Sequence, residues 1–394
     1  MGRLRLLLLF GALTMFGPMS LDAYLPAFPE IAAQYGTDTG SVQLTMSACL
    51  VGLALGQIVW GPVSDRFGRR LPLMIGIGVF IATSLVITVA PSMSVLVALR
   101  FVQALGGAAG VVIARAAVRD LYSGVDLARA LSLVITVFAL APVVAPLVGA
   151  AVLSFASWEG IFVALAAFGA VCLVGVLLMP ETLPPENRAG HGFGGAFRQY
   201  GAIVADPRFR FAAVVAALGS TALYAFIAGS PAALMDTYGQ SELAFGLTFA
   251  ALALCFAAGA QLNMRLLTRY RVITLLRASV ATQVLASLAV LAAALSGASL
   301  WWFLVPLVVA LLTVSGVNGN GIALALDPFP KAAASAAALV GGLQMLMGAL
   351  ATIILSGLDV RPPVEMAVGM TAASSVSLAI VLVALLRSRA FVGR

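Results

Sequence analysis

The chain has 394 residues, 62% of them hydrophobic and only 9% charged, with a formal net charge of +7. A soluble globular protein carries about 25% charged residues, so this composition excludes a water-soluble domain and indicates a polytopic membrane protein. The positive balance does not mark a nucleic-acid surface, because the arginines fall in short clusters between apolar runs, which is a topology signal.

A helix needs about 20 apolar residues to cross the bilayer core. Runs of that length predict twelve spans, at 5–29, 41–63, 72–91, 95–118, 127–154, 158–180, 208–234, 243–264, 272–296, 300–325, 332–357 and 364–387. The first follows Arg3 and Arg5 and continues well past the length of a signal-peptide apolar core, so an uncleaved span is expected there. Cys49, Cys172 and Cys255 lie inside apolar runs without metal-ligand spacing and read as small core residues, with no disulfide implied.

Between the second and third spans, residues 61–70 place Asp65, Arg66, Arg69 and Arg70 in a short turn with Gly61 and Gly68. Further basic clusters fall at Arg119 with Arg129, Arg188 to Arg210, Arg265 to Arg277, Lys331 and Arg387 to Arg394. All of these share one side with Arg3 and Arg5, whereas the other side receives Arg361 among Glu30, Asp38, Glu159, Asp236, Glu242, Asp359 and Glu365. The positive-inside rule then expects both termini in the cytoplasm. A polar stretch rich in proline and glycine divides the chain into a first six-span bundle (1–183), a cytoplasmic linker (184–206) and a second bundle (207–394). His191 lies in that linker and reads as a solvated loop residue rather than a proton relay. A weak echo of the 61–70 turn begins at Asn263, as expected for internal duplication.

Ionisable groups deep in a span are costly and mark function by default. Asp22 lies about 24 Å into a core of about 30 Å, at 1.5 Å per residue. Gly17-Pro18 precede it, and Tyr24, Pro26 and Pro29 follow, so the helix must bend beside it. Arg100 descends to matched depth from the other side, which makes the two expected partners, directly or through water. Desolvation and a neighbouring guanidinium act on a carboxyl in opposite senses, the balance a proton carrier needs. The alternatives are a hydrated acid at the outer interface and a purely structural ion pair. Arg115, near the end of the fourth span, either snorkels to the interface or lines a cavity.

These runs together resemble the drug:proton antiporters of the major facilitator superfamily, of the bicyclomycin/chloramphenicol-resistance (Bcr/CflA) type. The resemblance rests on Leu21-Asp-Ala-Tyr-Leu-Pro-Ala-Phe-Pro29, on 61–70, on Arg100-Phe-Val-Gln-Ala-Leu-Gly106, and on Ala141-Pro-Val-Val-Ala-Pro-Leu-Val-Gly-Ala150. Trp158-Glu-Gly-Ile-Phe162, Ser230-Pro231 and Ala325-Leu-Asp-Pro-Phe-Pro330 add to it. It departs at Ala104, Ala145 and Ala150, where the family pattern has glycine, and at Thr14, where some relatives carry a second acid.

The resemblance implies an all-α membrane protein of twelve transmembrane helices in two six-helix pseudo-symmetric halves. It implies an inner-membrane, monomeric exporter of small drugs of the chloramphenicol, florfenicol or bicyclomycin kind, driven by the proton gradient without metal or other cofactor. By the same resemblance Asp22 is the proton-binding carboxylate and Arg100 its modulator. Gly61, Asp65, Gly68, Arg69, Asp120, Pro142, Pro146 and Gly149 form the gating parts, with Arg69 pairing Asp120. Arg66 and Arg70 are expected to serve only as positive-inside anchors. Polar and aromatic residues within spans are expected to line the substrate cavity: Tyr24, Gln43, Ser47, Gln103, Arg115, Tyr224, Phe226, Phe249, Asn318, Asn320, Gln344 and Met345. Transport of an endogenous metabolite on the same fold is the alternative. A membrane enzyme is disfavoured by the absence of H-E-x-x-H, G-x-S-x-G and phosphate-loop motifs.

Overall fold

The computed structural model describes residues 2–188, 193–330, 332–358 and 360–392, and these are helices joined by short connections, with no strand. His191, Lys331 and Asp359 lie outside the described residues. Among the described residues, eleven helices are long and apolar enough to cross a membrane, and a bent pair makes up to twelve candidate spans. The apolar runs of the sequence therefore match the observed spans to within a few residues.

The bent pair is the first span. Helix α1 (Arg3–Thr14) and the segment Phe16–Tyr35 meet at 41°. Pro18 explains the break, because it has no N–H to offer the Thr14 carbonyl and its ring crowds that oxygen. After the break, α2 (Phe16–Asp22) ends four residues before Pro26, which likewise withholds an N–H from the Asp22 carbonyl. A 3₁₀ turn over Leu25–Ala27 leads into α3 (Phe28–Tyr35), which stops at Gly36 with φ of 61°. Two prolines thus leave Asp22 as the last residue of a short helix.

The next helices are α4 (Thr39–Phe67), α5 (Arg70–Ile87), α6 (Met93–Leu121), α7 (Gly124–Leu153) and α8 (Glu159–Leu178). Asp38 starts α4 by accepting from the Ser41 N–H at 2.7 Å, as an N-cap should. The expected turn at 61–70 is much shorter than the sequence suggests. Helix α4 continues through Pro62 to Phe67, so Asp65 sits on its last turn and only Gly68 and Arg69 separate α4 from α5. Within 184–206 the chain forms a 3₁₀ turn, Pro185–Asn187, and helix α9 (Phe193–Ala205). Then come α10 (Pro207–Pro231), running on through a π-turn over Ala232–Thr237, α11 (Glu242–Leu266), α12 (Val272–Leu295), α13 (Leu300–Leu326), α14 (Ala333–Leu355) and α15 (Pro362–Val392).

The chain divides into two compact units, Met1–Arg198 with Ser241–Ala250, and Gln199–Gln240 with Ala251–Arg394. In the first, α6 packs on α4 and α5, α5 on α8, and α1 on α7. Trp60 of α4 donates its indole N–H to the Leu105 carbonyl of α6 at 2.7 Å, which satisfies a polar group where no water is at hand. In the second, α10 packs on α13, α14 and α15, and α12 on α13 and α15. One apolar cluster there gathers Val215, Leu276, Val280, Val317 and Val381.

The tightest approach in the first unit lies beside Asp22. A Cβ placed on Gly149 of α7 would stand 1.8 Å from the Ala23 carbonyl oxygen. Only glycine lets α7 lie against the helix break. Gly149→Val should therefore destabilise the protein by about 3 kcal/mol through overpacking. Thermal unfolding in detergent measures it, with Gly61→Ala, whose Cβ would meet nothing within 4 Å, expected to unfold like the parent.

Candidate functional site

The arginine of the fourth span is held by the end of α2. Arg100 is 0% exposed and donates to the Ser20 carbonyl at 2.5 Å, to Ser20 Oγ at 2.9 Å, and to Gln103 Oε1. The Ser20 carbonyl belongs to a last helical turn, where carbonyls lack intrahelical partners and a cation is favoured. The guanidinium carbon also lies 4.1 Å from the Tyr24 ring centroid and 5.5 Å from that of Phe162, a cation–π arrangement. Gln103 completes the network by donating from Nε2 to Ser84 Oγ of α5 at 2.6 Å. Tyr24 is fixed in turn by its hydroxyl, 2.9 Å from Thr45 Oγ1 of α4.

Asp22 is excluded from this network. Its side chain is 3% exposed and Oδ1 has no hydrogen-bond partner. Among the described residues, the ion pairs within 4.0 Å are Arg3–Asp126, Arg69–Asp65, Arg69–Asp120 and Arg129–Asp126. The expected direct Asp22–Arg100 pair is therefore not formed. Arg100 reaches α2 two residues too early, at Ser20, and spends its donors on the backbone and on Gln103. Gln103, expected in the cavity, has both ends of its amide bonded inside the unit.

A second polar cluster gathers at the arginine-rich end of the first unit. Arg69 is 5% exposed and bridges two helices. Its Nε and Nη2 donate to Asp120 of α6 at 2.8 and 3.3 Å, and Nη1 donates to Asp65 Oδ1 at 2.5 Å and Ser64 Oγ at 2.9 Å. Desolvation alone would lower the Arg69 pKa, but the bonds to Asp120 and Asp65 outweigh it and hold it above its ordinary value. Gly68, at φ of 88°, supplies the turn that aims Arg69 inward.

Glu181, just past α8, was not anticipated from the sequence. Its carboxylate accepts the N–H groups of Arg69 at 2.8 Å, Arg70 at 3.1 Å, and Thr182 and Leu183 at 3.0 Å each. It caps the N-terminus of α5 from across the unit, where the chain's own Arg69 offers no side-chain cap. Thr182 Oγ1 adds a bond to Asp120 at 3.3 Å. Arg70 also does more than anchor, since it donates to the Leu177 carbonyl in the last turn of α8. Arg66 stacks 5.4 Å from the Phe67 ring.

Of the other predicted residues in this unit, Gln43 and Ser47 are buried on α4, with Ser47 Oγ donating to the Gln43 carbonyl at 3.4 Å. Gln43 Nε2 has no partner. Arg115 is exposed, 5.8 Å from the Phe138 ring centroid. Pro142 and Pro146 lie within α7, upstream of the Gly149 contact.

The second unit joins some of its polar groups in neutral pairs, while Gln283, Ser287 and Ser377 are buried with side-chain polar atoms that have no partner. Asn320 of α13 and Asn263 of α11 exchange reciprocal amide bonds at 2.9 and 3.2 Å. Ser220 Oγ donates to Asn318 Oδ1 at 3.1 Å, and Gln344 Nε2 donates to the Ala216 carbonyl at 3.5 Å. Tyr224 packs on Gly348, where an added Cβ would come 2.3 Å from the ring. Phe226 and Phe249 are buried and Met345 is half-buried. Glu365, expected on the surface, is only 7% exposed in the first turn of α15.

The family model of the Major Facilitator Superfamily matches residues 8–352. The chain belongs to that superfamily. This major facilitator is 35% identical over 351 residues to an uncharacterized MFS-type transporter, YdgK, of Bacillus subtilis, covering 88% of this chain and 87% of that one. It is 32% identical to a bicyclomycin resistance protein homolog of Haemophilus influenzae, with 87% of each covered. A chloramphenicol resistance protein of Pseudomonas aeruginosa is 28% identical over 89% of this chain and 83% of its own length. Among solved structures, a D-xylose–proton symporter superposes with a TM-score of 0.76 over 96% of both chains at 14% identity, which speaks to fold alone. The resemblance read from the motifs stands, and this major facilitator is a multi-pass membrane transporter of small molecules rather than an enzyme.

Two outcomes test the arginine-rich cluster. Burial raises the Glu181 pKa, but the four backbone N–H bonds outweigh it and leave the pKa below the usual glutamate value. A lowered folded-state pKa contributes stability that is complete above about pH 4.3 and is lost as pH falls through the folded value. Glu181→Gln should lower stability at pH 7 by about 1–3 kcal/mol. It should also flatten the acid limb of a melting-temperature profile below about pH 4.3. Arg69→Lys keeps the charge but loses the two-pronged contact with Asp120, and should unfold earlier than the parent at pH 7, measured by the same melts.

Proposed function

We propose that this transporter exports small amphipathic drugs from the bacterial cytoplasm across the inner membrane by alternating access, in exchange for protons, with both termini cytoplasmic. Drugs of the chloramphenicol, florfenicol or bicyclomycin kind are the expected class, consistent with what the relatives from Pseudomonas aeruginosa and Haemophilus influenzae are named for. Asp22 carries the proton. The observation behind this reading is that Asp22 is buried in a span, at the end of a broken helix, without a cation partner within 4.0 Å.

A carboxylate fixed to an arginine keeps its charge through a cycle and cannot carry a proton. An unpaired one is expensive as an anion in hydrocarbon and inexpensive when water reaches it. Its protonation therefore follows which side of the membrane supplies water, and that dependence is what couples the proton gradient to transport. Arg100 acts indirectly, as a positioning residue that fixes the backbone on which Asp22 sits. Gln43 of α4, whose buried amide nitrogen has no partner, supplies a hydrogen bond to a mostly apolar drug. The transporter works as a monomer and needs no metal or organic cofactor. Thr14, where some relatives have a second acid, bonds to the Gly11 carbonyl of its own helix at 2.7 Å. One proton per cycle follows.

Everted membrane vesicles give the test. Chloramphenicol or florfenicol added to energised wild-type vesicles should release protons, and Asp22→Asn should abolish that release while the protein still inserts. Proton release that survives the substitution would overturn the assignment of Asp22. A proton-to-drug flux ratio clearly above one would overturn the single-carrier reading. Unchanged susceptibility of an efflux-deficient host to a drug panel on expression would remove drugs as the substrate class.

A further inference from the structure

A groove of about 890 Å³ opens in the second unit between α10, α12, α13 and α15. Its wall is apolar, built from Phe211, Ile273, Leu324, Val376, Ile380 and Val383 with small residues between them. The charged residues that line it are Arg208, Arg210 and Asp327, all exposed and all at the end where α10 begins and α13 finishes. Neither arginine makes an ion pair within 4.0 Å among the described residues. Asp206, which does not line the groove, caps α10 by accepting the N–H groups of Arg208 and Phe209 on Oδ1 at 2.7 and 3.3 Å.

The groove does not have the form of an enclosed small-molecule site. Val376 and Val383 are 50% and 48% exposed, so its long side opens toward the surface that a membrane span presents to lipid. Between Val376 and Ala384 it descends about 12 Å along α15, at 1.5 Å per residue. A guanidinium pair at the membrane surface above an apolar channel matches one kind of molecule: an anionic head followed by an acyl chain. Among the residues that line the groove, two arginines against Asp327 leave one net positive charge, which favours an anionic head over a zwitterionic one.

We propose that this groove binds an anionic phospholipid, with one acyl chain along the wall of α12 and α15 and the phosphate on Arg208 and Arg210. The bound lipid would be part of the second unit, sealing α10 against α15. Asp327, at the end of α13, turns the remainder of the head away from that helix.

Native mass spectrometry of the full-length protein in detergent, titrated with dioleoylphosphatidylglycerol or dioleoylphosphatidylcholine, reads the proposal directly. Phosphatidylglycerol should be retained about tenfold better than phosphatidylcholine, and Arg208→Gln with Arg210→Gln should erase that preference. Arg265→Gln with Arg269→Gln, a charge-matched pair outside the groove, should leave it intact. Phosphatidylglycerol bearing a photoreactive acyl chain should cross-link in the wild type to the peptide containing 376–384, which needs no variant to fold. Equal retention of the two lipids, equal loss in both arginine pairs, or cross-links that avoid 376–384 would each overturn the assignment.

Discussion

Pro18 and Pro26 open the first membrane span, and Arg100 holds the opened piece in place. A buried guanidinium is costly in a span. The cost is offset here because α2 ends within the span and leaves a carbonyl at Ser20 that needs a donor. The Ser20 carbonyl thereby gains a donor from Arg100, whose Nε alone has no partner. The Tyr24 ring under the guanidinium and the Gln103–Ser84 relay above it complete the arrangement with neutral groups only. What that leaves over is Asp22, positioned by the same segment and paired with none of it.

The arginine-rich end of the same unit solves the opposite problem. There Arg69 is matched by two carboxylates, Asp120 by Arg69 and Thr182, and Glu181 by four backbone amides. Matched charge at a membrane surface makes a rigid joint between α4, α5, α6 and the chain after α8. Unmatched charge in the hydrocarbon makes a responsive group. Both clusters contain arginine and aspartate, and partnering separates the paired carboxylates from the unpaired Asp22.

The spans were legible because hydrophobic length is a property of consecutive residues, and the broken first span because proline acts on its own backbone. The Asp22–Arg100 relation was not legible. Depth along a helix follows from residue counting, but direction around it does not. Ser20 and Asp22 differ by two residues, about 200° around an α-helix, so an arginine that faces one looks away from the other. Glu181 was hidden for a different reason. Two of its four partners are backbone amides more than a hundred residues away, and an amide donor has no signature in a sequence. The turn at 61–70 was overextended because its charges suggested water, whereas Asp65 and Ser64 are helical residues turned toward Arg69.

The sequence echo that begins at Asn263 sharpens the contrast between the units. It repeats the arginines of 61–70 but not the acid, and Arg265, Arg269 and Arg271 are exposed, with no ion pair within 4.0 Å among the described residues. The polar side chain that does turn inward there, Asn263, meets Asn320 in a neutral reciprocal pair. A neutral amide pair can be broken and remade without moving charge, so α11 and α13 can shift at modest electrostatic cost. The Arg69 joint cannot be opened so cheaply, because separating it strands two carboxylates and a guanidinium. The echo thus repeats the arginines of 61–70 in a different electrostatic setting. The first unit ties its arginine-rich end with ion pairs and keeps Asp22 apart from them, and the second carries Arg265, Arg269 and Arg271 exposed, without an ion pair among the described residues.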